Sequence, residues 1–217
     1  MAIRLLMLDL DGTIVDTIDS IREAVNATLV SYGFPERDRE QIRKAIGNGA
    51  KELIRRSLPK EHQTDDDLVS RVLADYDTHY GDTYAHVDGC YAGMEESMRA
   101  LSARGYTLAV LSNKQDAYVK KIVALLFPDG LVAEAVGQTE QPKKPDPTVP
   151  LSICEKLGFL PEETAFIGDS DVDILTGKNA GMMTVGCAWG FRPEQELIDA
   201  GADRVLHNGW ELCDLFA

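Results

Sequence analysis

The sequence lacks several features that would define its class at once. It holds no apolar run of the roughly 18–20 residues that a membrane-spanning helix needs. It is also short of positive charge, with 22 Lys and Arg against 36 Asp and Glu and a formal net charge of −14. A chain this acidic repels phosphate backbones and anionic lipid surfaces, so we expect neither nucleic acid nor a membrane as its partner. A small anionic substrate stays possible, because local charge can oppose the net charge.

Cysteine and histidine patterns are equally uninformative about disulfides or metals. The four cysteines form no CxxC pair, and the four histidines form no HxH or HExxH pattern. We interpret the cysteines as reduced and mostly buried. The N-terminal segment acquires acidic residues too early for the apolar region of a signal peptide, so we expect a cytoplasmic protein. A chain of 217 residues can bury roughly 70% of its unfolded surface and needs no covalent or metal cross-link to fold.

Short apolar segments alternate with amphipathic helical segments along most of the chain. The predicted strands are 3–8, 107–111, 164–168, 183–185 and 203–206, and the predicted helices between them are 93–104, 115–126, 147–157 and 171–180. This alternation predicts an α/β protein, with a Rossmann-like parallel sheet and helices on both of its faces.

One long segment departs from this alternation. From about residue 17 to residue 81 the pattern is helical throughout, with predicted helices at 17–32, 38–46, 49–58 and 65–80. A helical block inside an α/β alternation predicts an inserted all-helical subdomain. We therefore expect residues 1–15 and 86–217 to form the α/β core and residues 16–85 to form the insertion.

Polar residues follow three of the predicted strands. DLDGT stands at 9–13, LSN at 111–113 and GDSDVD at 168–173, with KKPDP at 143–147 between the last two. Ligands of open α/β sheets bind beyond the carboxyl ends of the strands. Three carboxylates brought together there, from Asp9, Asp11 and Asp169, would repel one another unless a hard divalent cation such as Mg²⁺ lay among them.

In this order and spacing the four segments resemble the four motifs of the haloacid dehalogenase superfamily, in its phosphatase branch. The resemblance covers essentially the whole chain and implies a Mg²⁺-dependent phosphomonoester hydrolase with an aspartyl-phosphate intermediate. The insertion then corresponds to the family's helical cap. Asp11 argues against a dehalogenase, because a halide leaving group needs no proton. No lysine stands early in the insertion to support the Schiff-base chemistry of the phosphonatases.

The resemblance implies a role for each motif residue. Asp9 would be the nucleophile, and Asp11 the general acid and then the general base. Lys144, which the family pattern Lys-Pro-x-Pro selects over Lys143, would neutralise the transferred phosphoryl group. The metal would bind Asp9, Asp169 and a backbone oxygen of Asp11, with Asp173 close by or orienting Lys144.

The remaining motif residues would hold the substrate's phosphate. We expect the Gly12 N–H, the Ser112 hydroxyl and the Asn113 backbone to bind phosphate oxygens, with Thr13 tying the loop at the substrate site. The implied partner is a small phosphorylated substrate. The oligomeric state is left as monomer or homodimer.

Specificity should lie in the cap. The segment IGNGAKELI at 46–54 and the later stretch at 185–206 resemble bacterial phosphoglycolate phosphatases, which implies 2-phosphoglycolate as the substrate. Gly47 and Gly49 flank a tight turn that opens a helix, and Lys51 lies in its first turn, where an anion would suit it. Residues 36–60 carry eight bases against four acids, a local charge of 8 − 4 = +4.

Alternative functions stay open on the sequence alone. A pyrophosphatase or nucleotidase of the same superfamily, or a phosphosugar mutase of the β-phosphoglucomutase type, would share the nucleophile, the metal and the cap. A non-catalytic binding module on this fold is disfavoured by the intact motif residues.

Overall fold

The computed structural model describes residues 2–87 and 89–217. Six strands form one sheet: β1 (Leu5–Leu8), β2 (Thr107–Gln115), β3 (Glu134–Gln138), β4 (Thr164–Gly168), β5 (Met183–Cys187) and β6 (Arg204–Leu206). Their order across the sheet is β3-β2-β1-β4-β5-β6, and every neighbouring pair is parallel. This is the strand order of a doubly wound Rossmann-like fold, and the predicted fold class is confirmed.

Ten α-helices accompany the strands within the described residues. They are α1 (Ile18–Ser31), α2 (Arg39–Ala45), α3 (Ala50–Ser57), α4 (Asp66–Thr83), α5 (Met94–Ala103), α6 (Asp116–Leu126), α7 (Thr148–Leu157), α8 (Asp171–Asn179), α9 (Glu194–Asp199) and α10 (Trp210–Leu215). None of them combines the length and the apolar composition required to traverse a bilayer.

The central strands are buried on both faces. All four residues of β1 are fully buried, and every residue of β4 is buried as well. Such continuous apolar runs are typical of parallel strands that helices cover on both sides. Because β1 pairs with β2 on one side and with β4 on the other, the residues that follow these strands emerge at one edge of the sheet.

Four elements differ from the sequence-based prediction. The edge strand β3 was not predicted, since its sequence EAVGQ is only partly apolar and most of its residues are half-buried. The six-residue helices α9 and α10 were missed as well. Strand β2 continues to Gln115 with a register shift after Leu111, so Ser112 and Asn113 lie within the strand rather than after it.

The chain divides into two compact units. One takes the residues up to Asp16 together with Gly89–Ala217, and the other begins at Thr17 and ends before Gly89. The first contains the whole sheet. In the second, α1 packs against α4, and the stacked rings of Tyr76 and Tyr80, with centroids 5.5 Å apart, are buried. The role of the helical unit as a cap stays a prediction.

The complete burial of β1 predicts a strong dependence of stability on its side chains. Truncating Leu6, which is 0% exposed, should lower the free energy of unfolding by about 3 kcal/mol through lost burial and a residual cavity. Urea unfolding of Leu6→Ala would measure this, with Leu160→Ala as the matched control because Leu160 is 52% exposed. Equal losses of stability in the two variants would contradict the placement of β1.

Candidate active site

The candidate site lies at the topological switch point of the sheet. Strands β1 and β4 are neighbours there, while their outer partners β2 and β5 lead away in opposite directions. Ligands of this fold class bind in the crevice at that point. Four charged side chains gathered here are nearly inaccessible to solvent: Asp9 (7% exposed), Lys144 (4%), Asp169 (2%) and Asp173 (1%).

Asp9 follows β1, and its backbone N–H still pairs with Ile167 O of β4 at 2.9 Å, so the strand fixes its position. Lys144 Nζ lies 2.9 Å from Asp9 Oδ1. The angles of that contact fall outside hydrogen-bond geometry, and no described residue gives this buried oxygen a well-directed hydrogen bond. Burial raises the pKa of Asp9 to about 6, although the charge of Lys144 opposes the shift.

Lys144 is held at both ends. The Asn113 side chain donates from Nδ2 to Lys144 O at 3.2 Å, and its Oδ1 accepts from Lys144 N at 2.9 Å. At the other end, Lys144 Nζ donates to Asp173 Oδ1 at 2.6 Å. Burial alone would lower the pKa of Lys144, but the charges of Asp173 and Asp9 outweigh it and raise the pKa. The ammonium group therefore stays charged at neutral pH, whereas Lys143 is exposed.

Asp173 is held by the helix that carries it. Ser170 caps α8 and donates to Asp173 Oδ2 from both Oγ (2.6 Å) and N (3.1 Å), which completes a capping box. The other oxygen accepts from Lys144. Because Asp173 Oδ1 accepts directly from Lys144 Nζ, this carboxylate is suited to positioning Lys144.

Asp169 follows β4 and is also tied on both oxygens. Thr13 Oγ1 donates to its Oδ1 at 3.3 Å, and Phe191 N donates to its Oδ2 at 2.6 Å. Burial, followed by the charges of Asp173 and Asp9, raises the pKa of Asp169 well above its ordinary value. The hydrogen bond from Phe191 was not predicted, since nothing in the sequence indicates that the segment after β5 returns to this carboxylate.

The loop at Gly12 and Thr13 differs in detail from the expectation. The Gly12 N–H, which we expected on a phosphate oxygen, donates instead to Val15 O at 2.9 Å. The turn from Asp11 to Val15 uses this group internally, and its contact with a phosphate oxygen stays a prediction. Gly12 has φ +83°, and a Cβ there would lie 2.3 Å from Asp169 Oδ2. Thr13 is fully buried, so it supports Asp169 rather than facing solvent.

The carboxylate of Asp11 has a partner that the sequence analysis missed. Lys114 Nζ donates to both of its oxygens, at 2.9 and 3.0 Å. The backbone N–H of Lys114 also donates to Ser112 Oγ at 3.4 Å, and Ser112 itself is 4% exposed. Lys114 directly follows the LSN motif, but only the three-dimensional structure brings its ammonium group to Asp11.

The carboxylates fit a hard divalent cation. One oxygen each from Asp9, Asp169 and Asp173 lies within 4.8 Å of the others. The raised pKa values of Asp9 and Asp169 show that burial and neighbouring negative charge disfavour the ionised forms of these two groups. A bound cation would favour the ionised forms. Asp9 Oδ1 is buried without a well-directed donor, as a metal ligand would be. The Asp11 side chain is turned to Lys114, which leaves its backbone oxygen as the ligand predicted from the sequence.

The predicted substrate-binding residues of the cap belong to the helical unit. Gly47 and Gly49 have φ +115° and +85°, and Gly49 precedes the first turn of α3. Arg56 Nη2 donates to Asn48 Oδ1 at 2.8 Å and braces this turn, while Lys51 is exposed. Their contact with substrate stays a prediction.

Several bases of the positively charged stretch at 36–60 pair with local acids. Arg43 and Lys44 both contact Glu40, and Arg55 contacts Glu52. Glu40 and Glu52 are already counted in the local charge of +4. The contacts of Arg39 with Asp19 and of Arg55 with Asp66 bring in two acids from outside the stretch, which leaves 4 − 2 = +2.

Comparison with known proteins places this site in a family. The family model described as haloacid dehalogenase-like hydrolase matches residues 6–187. The chain is 32% identical over 218 residues to a phosphoglycolate phosphatase of Haemophilus influenzae, covering 98% of this chain and 97% of the relative. It is also 32% identical to the phosphoglycolate phosphatase of Psychrobacter arcticus, over 89% of this chain and 87% of the relative.

Solved structures agree with these matches. A crystal structure described as a predicted phosphoglycolate phosphatase from Haemophilus somnus superposes with a TM-score of 0.91 at 26% identity, covering 99% of this chain and 98% of the other. The chain belongs to the haloacid dehalogenase-like hydrolases and is a phosphatase of that family.

The raised pKa of Asp9 predicts a pH-dependent penalty on the metal-free fold. Its ordinary value is 3.8 and its value here is about 6, so the folded protein binds this proton more tightly than the unfolded chain does. The stabilisation that this proton gives the folded state is fully present below about pH 4. It is lost as the pH rises through about 6 and Asp9 becomes ionised in the folded protein as well. In EDTA, the Tm of Asp9→Asn minus that of the wild type should therefore increase between pH 4 and pH 6 and then level off. A Tm difference that is flat or falls with pH would contradict the shift.

Proposed function

We propose that the protein is a Mg²⁺-dependent phosphomonoester hydrolase that acts through an aspartyl-phosphate on Asp9, with 2-phosphoglycolate or a similar small phosphorylated acid as its substrate. The observation that carries the proposal is the cluster around Lys144. A buried carboxylate at a strand end faces a buried ammonium group, with two further carboxylates within metal-binding reach. This combination suits the dianionic phosphate group of an ester better than any neutral ligand.

In the first step Asp9 attacks phosphorus and the bond to the ester oxygen breaks. Asp9 must be ionised to attack, and a pKa of about 6 leaves most of it ionised at neutral pH. Lys144, held by Asp173 and Asn113, neutralises the charge that spreads over the phosphoryl oxygens. Bound Mg²⁺, on Asp9, Asp169 and the backbone oxygen of Asp11, would offset the remaining negative charge of the carboxylates and the phosphate.

Asp11 moves the protons. As an acid it gives its proton to the departing alkoxide, which leaves as the alcohol. As a carboxylate it then takes a proton from the water that attacks the phosphorus of the aspartyl-phosphate. The bond from phosphorus to the Asp9 oxygen breaks, inorganic phosphate leaves, and Asp9 is regenerated as a carboxylate while Asp11 is protonated again. We assign to Ser112 the donation of its hydroxyl proton to a phosphate oxygen, since its Oγ accepts from Lys114 N and its own proton must point elsewhere.

The substrate assignment draws on the relatives. Proteins named phosphoglycolate phosphatase align over nearly the full length of this chain at about 30% identity. The Gly47–Gly49 turn in the helical unit is the segment that we assign to substrate recognition. Pyrophosphatase, nucleotidase and phosphosugar mutase activities share the same core chemistry and are outcomes of the first experiment below.

A screen of small phosphate esters should show highest activity on 2-phosphoglycolate. The purified protein, with and without Mg²⁺, would be offered 2-phosphoglycolate, pyrophosphate, nucleoside monophosphates and glucose 1-phosphate, with phosphate release and isomerisation measured separately. Activity should disappear in EDTA and return with Mg²⁺. Faster hydrolysis of pyrophosphate or a nucleotide, or isomerisation of the sugar phosphate, would contradict the substrate assignment.

Replacing the nucleophile should stop turnover without unfolding the protein. Asp9→Asn removes the attacking charge, and we expect kcat to fall by about a thousandfold or more. Asp129→Asn makes the same charge change at an exposed position and should leave kcat unchanged. Far-ultraviolet circular dichroism checks the fold of both variants. Substantial residual activity in Asp9→Asn would exclude Asp9 as the nucleophile.

A further inference from the structure

A second buried lysine at the site has no role in the mechanism above. Lys114 lies near the end of β2, and its side chain is 7% exposed. Its Nζ contacts both carboxylate oxygens of Asp11, whose side chain is 12% exposed. A lysine this deeply buried is costly unless an anion accompanies its charge. In this structure the anion is the group that must donate a proton to the substrate.

The pairing conflicts with the proposed work of Asp11. To protonate the departing oxygen, Asp11 must take up a proton from solvent and turn an oxygen toward the ester, yet both of its oxygens contact Lys114. One of these contacts must therefore loosen when substrate binds. The lysine stem is flexible and its ammonium group has no fixed hydrogen-bond geometry, so Lys114 can change partner more easily than an arginine could.

The distances favour the substrate itself as the new partner. An ester oxygen that receives a proton from Asp11 lies about 3 Å from that carboxyl group. Lys114 Nζ is 2.9 Å from the same group, so it lies within about 6 Å of the ester oxygen. In 2-phosphoglycolate a single methylene separates the ester oxygen from the carboxylate, which places the substrate's second anion within reach of Lys114.

We propose that Lys114 is a specificity-determining residue that binds the carboxylate of the substrate and, in doing so, releases Asp11 to the ester oxygen. This inference rests on the proposed function and deepens it. Ser112 and Lys114 stand two residues apart on β2, so one strand would present a hydroxyl to the phosphate and a cation to the carboxylate. A phosphomonoester without a second anion leaves Lys114 on Asp11 and is hydrolysed more slowly.

Two substrates of matched size separate the carboxylate's contribution from the rest. 2-Phosphoglycolate and 2-hydroxyethyl phosphate differ only in a carboxylate against a CH₂OH group. In Lys114→Met, kcat/KM for 2-phosphoglycolate should fall by about 100-fold, mostly through KM, because a charged hydrogen bond is lost. For 2-hydroxyethyl phosphate the fall should stay below about tenfold. Lys114→Gln, which keeps a donor for Asp11 but not the charge, should show the same loss of preference.

Matched controls and a binding measurement accompany the kinetics. Lys120→Met removes a lysine that pairs with Asp116 on the exposed start of α6, and it should keep the wild-type preference. Calorimetry with 3-phosphonopropionate and with inorganic phosphate tests binding without turnover. Lys114→Met and Lys114→Gln should bind the phosphonate, which carries a carboxylate, about tenfold or more weakly while their affinity for inorganic phosphate changes little.

Each outcome decides the matter. An equal fall on both esters, or an equal loss of affinity for the phosphonate and inorganic phosphate, would show that Lys114 only positions Asp11 and would overturn the inference alone. A wild-type protein that hydrolyses neither ester would overturn the proposed function and the inference with it. A preference for 2-phosphoglycolate that is lost in both Lys114 variants, but kept in Lys120→Met, supports the assignment.

Discussion

One ammonium group shared by two buried carboxylates organises this protein. Lys144 Nζ lies 2.6 Å from Asp173 and 2.9 Å from Asp9, and all three side chains are almost completely removed from solvent. Together, Asp9, Asp173 and Lys144 would carry a net negative charge in the protein interior, where an unbalanced charge is unfavourable. The nearby carboxylate of Asp169 adds to that charge. Neighbouring groups stabilise this cluster. The side-chain amide of Asn113 holds the backbone of Lys144, and Ser170 donates two hydrogen bonds to Asp173.

The excess of negative charge among the buried carboxylates affects both the stability of the fold and the binding of ligands. The raised pKa values of Asp9 and Asp169 mean that the metal-free site costs stability at neutral pH. The same cost favours a cation among the carboxylates, and a dianionic phosphate group beside that cation and Lys144. The net charge of −14 contributes little to this balance. What decides it is the local arrangement of three buried acids and one buried base.

The sequence predicted the parallel α/β core and the residues that follow its strands, because both depend on apolar periodicity and motif spacing. Asp9 and Asp169 lie together because β1 and β4 are neighbours in the sheet. The motifs at the strand ends predicted that these residues would meet, but not which strands would be neighbours. The sequence did not predict Lys114 or Phe191, since their contacts with Asp11 and Asp169 join segments far apart in the chain. Nor did it reveal that the Gly12 N–H serves the turn, or that β3 completes the sheet with few apolar residues.

We propose above all that this cluster presents Asp9 to phosphorus. The most direct test traps the intermediate: the protein with Mg²⁺ is mixed with ³²P-labelled 2-phosphoglycolate, quenched in acid within milliseconds, and reduced with borohydride, which converts an aspartyl-phosphate into homoserine. We expect ³²P bound to the protein at the earliest quench times, before the label is released as free phosphate. After reduction we expect homoserine at position 9. Phosphate release without protein-bound label, or homoserine at any other aspartate, would contradict the claim.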